Sequence, residues 1–135
     1  MKSEMLKQND NDILDKLYMY QAKCYEVVDG DTIKVDIDLG FSTNQKRNVR
    51  LLNVDTPERN QRNYEKATDF TKSCVENKNI YIQTYKSDNF GRYLAKVYYT
   101  TNDGIVRCLN DDLITVGLVK PNSKWNDKGI KAYDI

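Results

Sequence analysis

The segment Thr32-Ile33-Lys34-Val35-Asp36-Ile37-Asp38-Leu39 alternates apolar and polar residues without a break. Alternation with period two puts Ile33, Val35, Ile37 and Leu39 on one face, which a helix of about 3.6 residues per turn cannot do. The segment reads as a half-buried antiparallel strand. Asp29-Gly30 stands just before it, a dipeptide favoured in tight hairpins. Ahead of that, residues 17–28 become aromatic and β-branched, the composition of a first strand. A lone hairpin is not stable in water, so the rest of the chain must supply further strands to cover this face.

Residues 47–54 supply a third strand, ended by Asp55-Thr56-Pro57. Over residues 64–76 the period changes: Ala67, Phe70, Thr71, Cys74 and Val75 share one face of a helix. Residues 77–79 stop it. Strands four and five are expected over 80–85 and 92–100, and Asn102-Asp103-Gly104 turns the chain into 105–107. Leu109, Leu113 and Val116 mark a second short helix with Gly117 as its stop. The fold class is α+β, mainly β: a five-stranded barrel of the oligonucleotide/oligosaccharide-binding type, with one helix between strands 3 and 4 and a second after strand 5. Residues 17–120 form this domain. Residues 1–16 are a polar arm with a helical turn near 13–17. Residues 121–135 are a polar extension apart from Trp125, Ile130, Tyr133 and Ile135.

What the chain lacks narrows its chemistry. It has 135 residues and no His, which excludes Ser–His and Cys–His catalysis and His-bound zinc. Cys24, Cys74 and Cys108 are widely spaced and odd in number, so they read as free thiols rather than as a zinc site or disulfide frame. Lys and Arg total 21 against 20 Asp and Glu, so any contact with a polyanion must come from local groups rather than a global field. The first residues hold no apolar run of about 7–15 residues, as a secretory signal requires. Nor does any stretch approach the roughly 20 apolar residues of a membrane helix. The expectation is a monomeric cytoplasmic protein, in the host cytoplasm if the gene is phage-borne, with no membrane contact.

Chemistry concentrates in two stretches, Asp29-Gly30-Asp31-Thr32 and Arg50-Leu51-Leu52-Asn53-Val54-Asp55-Thr56-Pro57-Glu58. Taken singly they are turn signals. Asp31 opens one strand and Asp55 closes its neighbour, so the two carboxylates can meet at one end of a barrel. Paired carboxylates repel unless a cation neutralises them, and Ca²⁺ accepts an irregular shell of oxygen donors. Glu58, beside such a site, suits a proton acceptor for an attacking water. Arg50 and Arg92, converging there, would suit a phosphate, which guanidinium binds through paired hydrogen bonds. One feature opposes this picture. Arg50 and Asp55 are five positions apart, which on an ideal strand puts them on opposite faces.

These stretches, with Asp88-Asn89-Phe90-Gly91-Arg92-x-Leu94-Ala95, resemble the staphylococcal nuclease (thermonuclease) family in order and approximate spacing. Leu109-Asn110-x-x-Leu113-Ile114-x-x-Gly117-Leu118-Val119 resembles that family's second helix and its exit. The resemblance runs from about residue 23 to residue 120. It implies a Ca²⁺-dependent phosphodiesterase that acts on DNA and RNA, cleaves the bond to the 5′ oxygen and leaves 3′-phosphate ends. Asp31 and Asp55 would bind the metal, as would Thr56 through its backbone carbonyl. Glu58 would be the general base, and Arg50 and Arg92 would hold the scissile phosphate. The chain departs from the family where the reference enzyme has Lys-Tyr before Gly-Arg. Here Asn89-Phe90 stand instead, so one charge and one hydroxyl are missing from the substrate-facing turn. No Tyr follows the second helix in register, and the third helix is expected to be shortened or missing over 121–135.

Arg59, Arg62, Lys66 and Lys86, with Phe90, are the candidate contacts to the rest of a DNA or RNA substrate. The second reading is a non-catalytic module on the same barrel that binds nucleic acid or protein. The reduced C-terminal end offers a place for a protein partner.

Overall fold

The alternating segment forms β2 (Thr32–Asp38) in the computed structural model of the chain, which describes residues 9–121 and residue 123. The other elements are α1 (Asp10–Leu14), β1 (Met19–Asp29), β3 (Asn44–Leu51), α2 (Tyr64–Val75), β4 (Lys78–Ser87), β5 (Tyr93–Thr100), β6 (Val106–Cys108) and α3 (Leu109–Thr115). Most of the expected extension over 121–135 lies outside the described residues, as do residues 1–8 of the expected arm. Residues 15–18 of the N-terminal stretch are held against β4. Gln83 Nε2 donates to the carbonyls of Asp15 and Leu17, and Thr84 N–H donates to that of Tyr18.

The strands form one sheet in the order β3-β2-β1-β4-β5-β6. Neighbours pair antiparallel, with Val27 opposite Ile33 and Thr32 opposite Arg50. The sheet then closes on itself: β3 pairs parallel with β5 over Val49–Leu51 and Tyr93–Ala95. This is the expected five-stranded barrel, with β6 as an added short strand outside it. Ile33, Val35 and Ile37 point inward as the alternation requires, and they meet Val49, Leu51, Ile82, Val97, Leu109 and Leu113 in one core. α2 lies over β1, burying Ala67, Thr71, Cys74 and Val75. Cys24 and Cys74 are buried free thiols, and burial pushes the Cys24 thiol up to about 11, which makes it unreactive. Among the described residues no helix is long and apolar enough to cross a membrane.

Two polar groups lock α3 to the barrel. Asn110 is buried. Its Oδ1 accepts from Val97 N–H at 2.9 Å, and its Nδ2 donates to the carbonyls of Leu52 and Ala95 at 2.9 and 3.0 Å. Asp112 accepts from Arg107 through two nitrogens at 2.7 and 2.9 Å, and from the Tyr99 hydroxyl at 2.5 Å. α3 ends on Gly117 at φ +77, a left-handed residue. Leu118 N–H donates to Leu113 O and Gly117 N–H to Ile114 O, the paired closure of a Schellman stop. That stop turns the chain back toward the barrel mouth.

Two stability predictions follow from these locks. Asn110→Ala strands the buried Val97 N–H and removes the hydrogen bonds to two carbonyls at the barrel's closing seam. At about 1–3 kcal/mol for each unsatisfied buried group, it should cost roughly 2–4 kcal/mol. The check is a lowered urea midpoint at unchanged slope. For Asp112, the Arg107 hydrogen bonds hold the carboxyl below its ordinary value in the folded chain. Its contribution is therefore complete above the unfolded value, near pH 4, and is lost as pH falls through the folded value. Asp112→Asn should lower the melting temperature at pH 7, and the gap to the parent should shrink on acidification below about pH 4.

Candidate active site

β3 does not run to Val54 as the sequence pattern suggests; it stops at Leu51. Asn53 then adopts φ +61, a left-handed conformation that Asn tolerates better than most residues. This breaks the alternation between Arg50 and Asp55 and brings both side chains to the same place. Arg50 Nη1 donates to the carbonyls of Leu51 (3.0 Å) and Val54, wrapping the turn around its own guanidinium. Arg50 Nη2 lies 3.4 Å from Asp31 Oδ2 and 3.3 Å from Asp55 Oδ1. Two carboxylates, one from the β1–β2 turn and one from the loop after β3, thus converge on one nitrogen.

The β1–β2 turn supplies Asp31. The sequence suggests Asp29-Gly30 as the turn pair, but Asp29 is the last residue of β1 and faces Thr32, so Gly30 and Asp31 span the turn. Gly30 is required for close approach. A Cβ there would lie 2.9 Å from Ala67 Cβ and 3.0 Å from two atoms of Thr56. Its carbonyl accepts from the Thr71 hydroxyl of α2 at 2.8 Å. Asp31 is buried. Its Oδ2 accepts from Thr56 N–H at 3.0 Å, its Oδ1 from the Thr32 hydroxyl, and its carbonyl from Leu51 N–H at 2.9 Å. Burial, and then the Asp31 carboxylate beside it, push the Asp29 carboxyl up to about 6.

Arg92 enters from the turn before β5. Its Nε and Nη2 engage Asp88 Oδ2 at 2.8 and 2.7 Å, and its Nη1 donates to Thr32 Oγ1 at 3.2 Å. Its guanidinium also lies over the Phe90 ring, 5.3 Å from the centroid. Asp88 Oδ1 accepts the amides of Phe90 and Arg92, shaping the whole turn. Burial raises the Asp88 carboxyl, but these amides and the guanidinium outweigh it and hold it below its ordinary value.

Arg50, Asp31, Asp55, Thr56, Glu58, Phe90 and Arg92 line one cleft of about 310 Å³, together with Asp29, Asp88 and Lys120. Arg59, Arg62, Lys66 and Lys86 are exposed and are not among its lining residues. Arg62 lines a neighbouring shallow groove with Gln61, Val119 and Pro121. The sequence names none of Asp29, Asp88 and Lys120 as a site residue. Asp88 had a usable signal, an Asp placed to accept amides within a turn. Lys120 had none.

The donor set suits a hard divalent cation. Five carboxylates line the cleft against three cationic side chains, leaving it two negative charges out of balance. The groups that converge are oxygen donors, with no His or Cys among the lining residues. Among the described residues no three His, Cys, Asp or Glu side chains cluster closely enough to cage an ion. Asp31 and Asp55 would hold it, with water, backbone or substrate oxygens filling an open shell.

Residues 48–133 match the sequence model of the staphylococcal nuclease homologue family. The chain belongs to that family. It is 31% identical to the thermonuclease of Staphylococcus hyicus, over 78% of this chain and 64% of that protein. It is also 31% identical to the thermonuclease of Staphylococcus intermedius, over 88% of this chain and 70% of that one. An otherwise uncharacterized endonuclease of Escherichia coli is 36% identical over 57% of this chain and 47% of its own length. The chain thus spans about half to two thirds of the length of most of these relatives. The family's barrel is the one described above, and the matched stretch contains Arg50, Asp55, Thr56, Glu58 and Arg92.

The close approach at Gly30 is directly testable. Gly30→Ala should force α2 or Thr56 outward and cost about 1–3 kcal/mol, as overpacking of a tight contact does. A urea midpoint equal to the parent's would show that α2 accommodates the methyl.

Proposed function

We propose that the chain is a Ca²⁺-dependent phosphodiesterase acting on DNA and RNA, breaking the bond to the 5′ oxygen and leaving 3′-phosphate ends. The observation that carries this reading is the convergence of two carboxylates, two guanidinium groups and Glu58 on one cleft. The thermonuclease and endonuclease names of its relatives support the same class of reaction.

A bound divalent cation would neutralise phosphate charge and acidify water. Asp31 and Asp55 would hold it through carboxylates and Thr56 through its carbonyl. Arg50 is anchored by backbone carbonyls through Nη1, so its place does not depend on the carboxylates alone. Such a fork, set before substrate arrives, suits the charge that grows on phosphoryl oxygens as water attacks. Arg92, oriented by Asp88, grips the same phosphate from the other side and steadies the departing oxygen. Glu58 takes one proton from the attacking water. The water oxygen bonds to phosphorus, the bond to the 5′ oxygen breaks, and that oxygen takes a proton from solvent. Phe90 offers an exposed ring beside Arg92 on which a base can stack.

Purified protein should nick plasmid DNA with Ca²⁺ and stop in excess chelator. Full activity in chelator would overturn the cation requirement. Glu58→Gln should lower kcat by about 10²–10⁴-fold at similar KM, the usual span for loss of a general base. An inactive but folded parent protein would favour the binding-module reading instead.

A further inference from the structure

The segment after α3 is built into the cleft. The Schellman stop at Gly117 sends residues 118–120 back across the barrel mouth, where Leu118 and Val119 pack on the core. Lys120 N–H donates to Asp55 O at 2.7 Å, fixing this strap to the turn after β3. Pro121 follows, and a residue before proline is confined to extended conformations. The Lys120 backbone is therefore held on both sides. Its ammonium lies 2.8 Å from Glu58 Oε1 and 3.5 Å from Asp55 Oδ1.

Glu58 needs such a hold. It sits on a loop, with a side chain 65% exposed. Its backbone is steadied by Gln61, whose Oε1 accepts Glu58 N–H at 2.7 Å and whose N–H donates to Glu58 O. That leaves the carboxylate on two flexible methylenes at the lip of the cleft. A water-activating group must be placed to a fraction of an ångström, and an exposed Glu side chain by itself is spread over many rotamers. The Lys120 side chain is only 24% exposed and is tied to the buried Asp55. It couples the exposed carboxylate to the buried one.

We propose that Lys120 is a positioning residue. By bridging Asp55 and Glu58 from the strap after α3, it holds the Glu58 carboxylate where the attacking water is activated. This rests on the reading of Glu58 as proton acceptor. Lys120 acts through Glu58 and makes no bond to the reacting phosphate. A partly exposed ion pair contributes little to stability, so its effect appears in turnover rather than in folding.

The test is steady-state kinetics on a short defined oligonucleotide with Ca²⁺ saturating and folding checked by circular dichroism. Lys120→Met should lower kcat about 10–100-fold, the scale of a misplaced catalytic group, with KM and the salt dependence of binding unchanged. Lys120→Arg should recover most of kcat. In a Glu58→Gln background, Lys120→Met should cause no further loss, because both changes remove the same function. Should Lys120→Met fail to fold, Lys120→Gln carries the same expectation. Parent-like kcat in the Met or Gln variant overturns the proposal. A rise in KM with a shallower salt slope also overturns it, and makes Lys120 a phosphate contact. Losses that multiply in the double variant would show that Lys120 acts independently of Glu58. A folded parent without nuclease activity, or a Glu58→Gln variant with full kcat, would instead overturn the underlying reading of the site.

Discussion

Three residue pairs close the barrel, Val49–Leu51 running parallel to Tyr93–Ala95, and the site exists only because they do. Parallel neighbours cannot be joined by a tight turn. The chain spans the gap with the Asp55 turn, α2, β4 and the Asp88 turn. The crossover thus begins with one acidic arm of the site and ends with Arg92. Arg50 lies within the seam itself. Asn110 clamps the seam from α3, satisfying Val97 N–H and meeting both the Leu52 and Ala95 carbonyls. Loosening that junction moves Arg50, Asp55 and Arg92 relative to one another at once.

Charge at the mouth of the barrel is arranged against its own stability. Burying Asp31 and Asp55 beside each other is unfavourable, and the fold meets part of that cost with Arg50, Lys120 and backbone N–H groups. It does not remove the imbalance, because acidic residues still outnumber basic ones around the cleft. On the proposed function, two forks and an ammonium grouped among carboxylates would exchange partners when a cation and a phosphate arrive together. A site fully neutralised within the protein would have little reason to take either.

The barrel was largely legible from residues because hydrophobic period carries it. Ile33, Val35 and Ile37 face inward as the alternation demands, and the Ala67–Val75 face of α2 is buried where the 3.6-residue period puts it. Seven of the candidate residues named from the sequence share one cleft, but their geometry was not legible there. Strict alternation separates Arg50 from Asp55, and only the left-handed Asn53 reunites them, a local event that pattern counting does not see. Gly30 illustrates the same limit. It reads as a turn residue, yet what it supplies is room for Ala67 and Thr56, neighbours far away in sequence. Lys120 could not be found this way, since a lone Lys before Pro has no periodic or motif signal and its partners lie about sixty residues back. Arg59, Lys66 and Lys86 show the converse, since basic character alone does not bring a residue to the cleft.

The anchoring of Lys120 to Asp55 also bears on how such a protein is made. Chains emerge from the ribosome N-terminus first. Asp31 and Arg50 come early, but β3 has no parallel partner until β5 has appeared, and the Lys120 N–H that bonds Asp55 O comes later still. The seam that holds Arg50 beside the turn carrying Arg92 therefore cannot form until β5 has emerged. On the proposed function, a nascent chain that has not yet formed β5 has no seam to place Arg92 and cannot yet cut the messenger that encodes it.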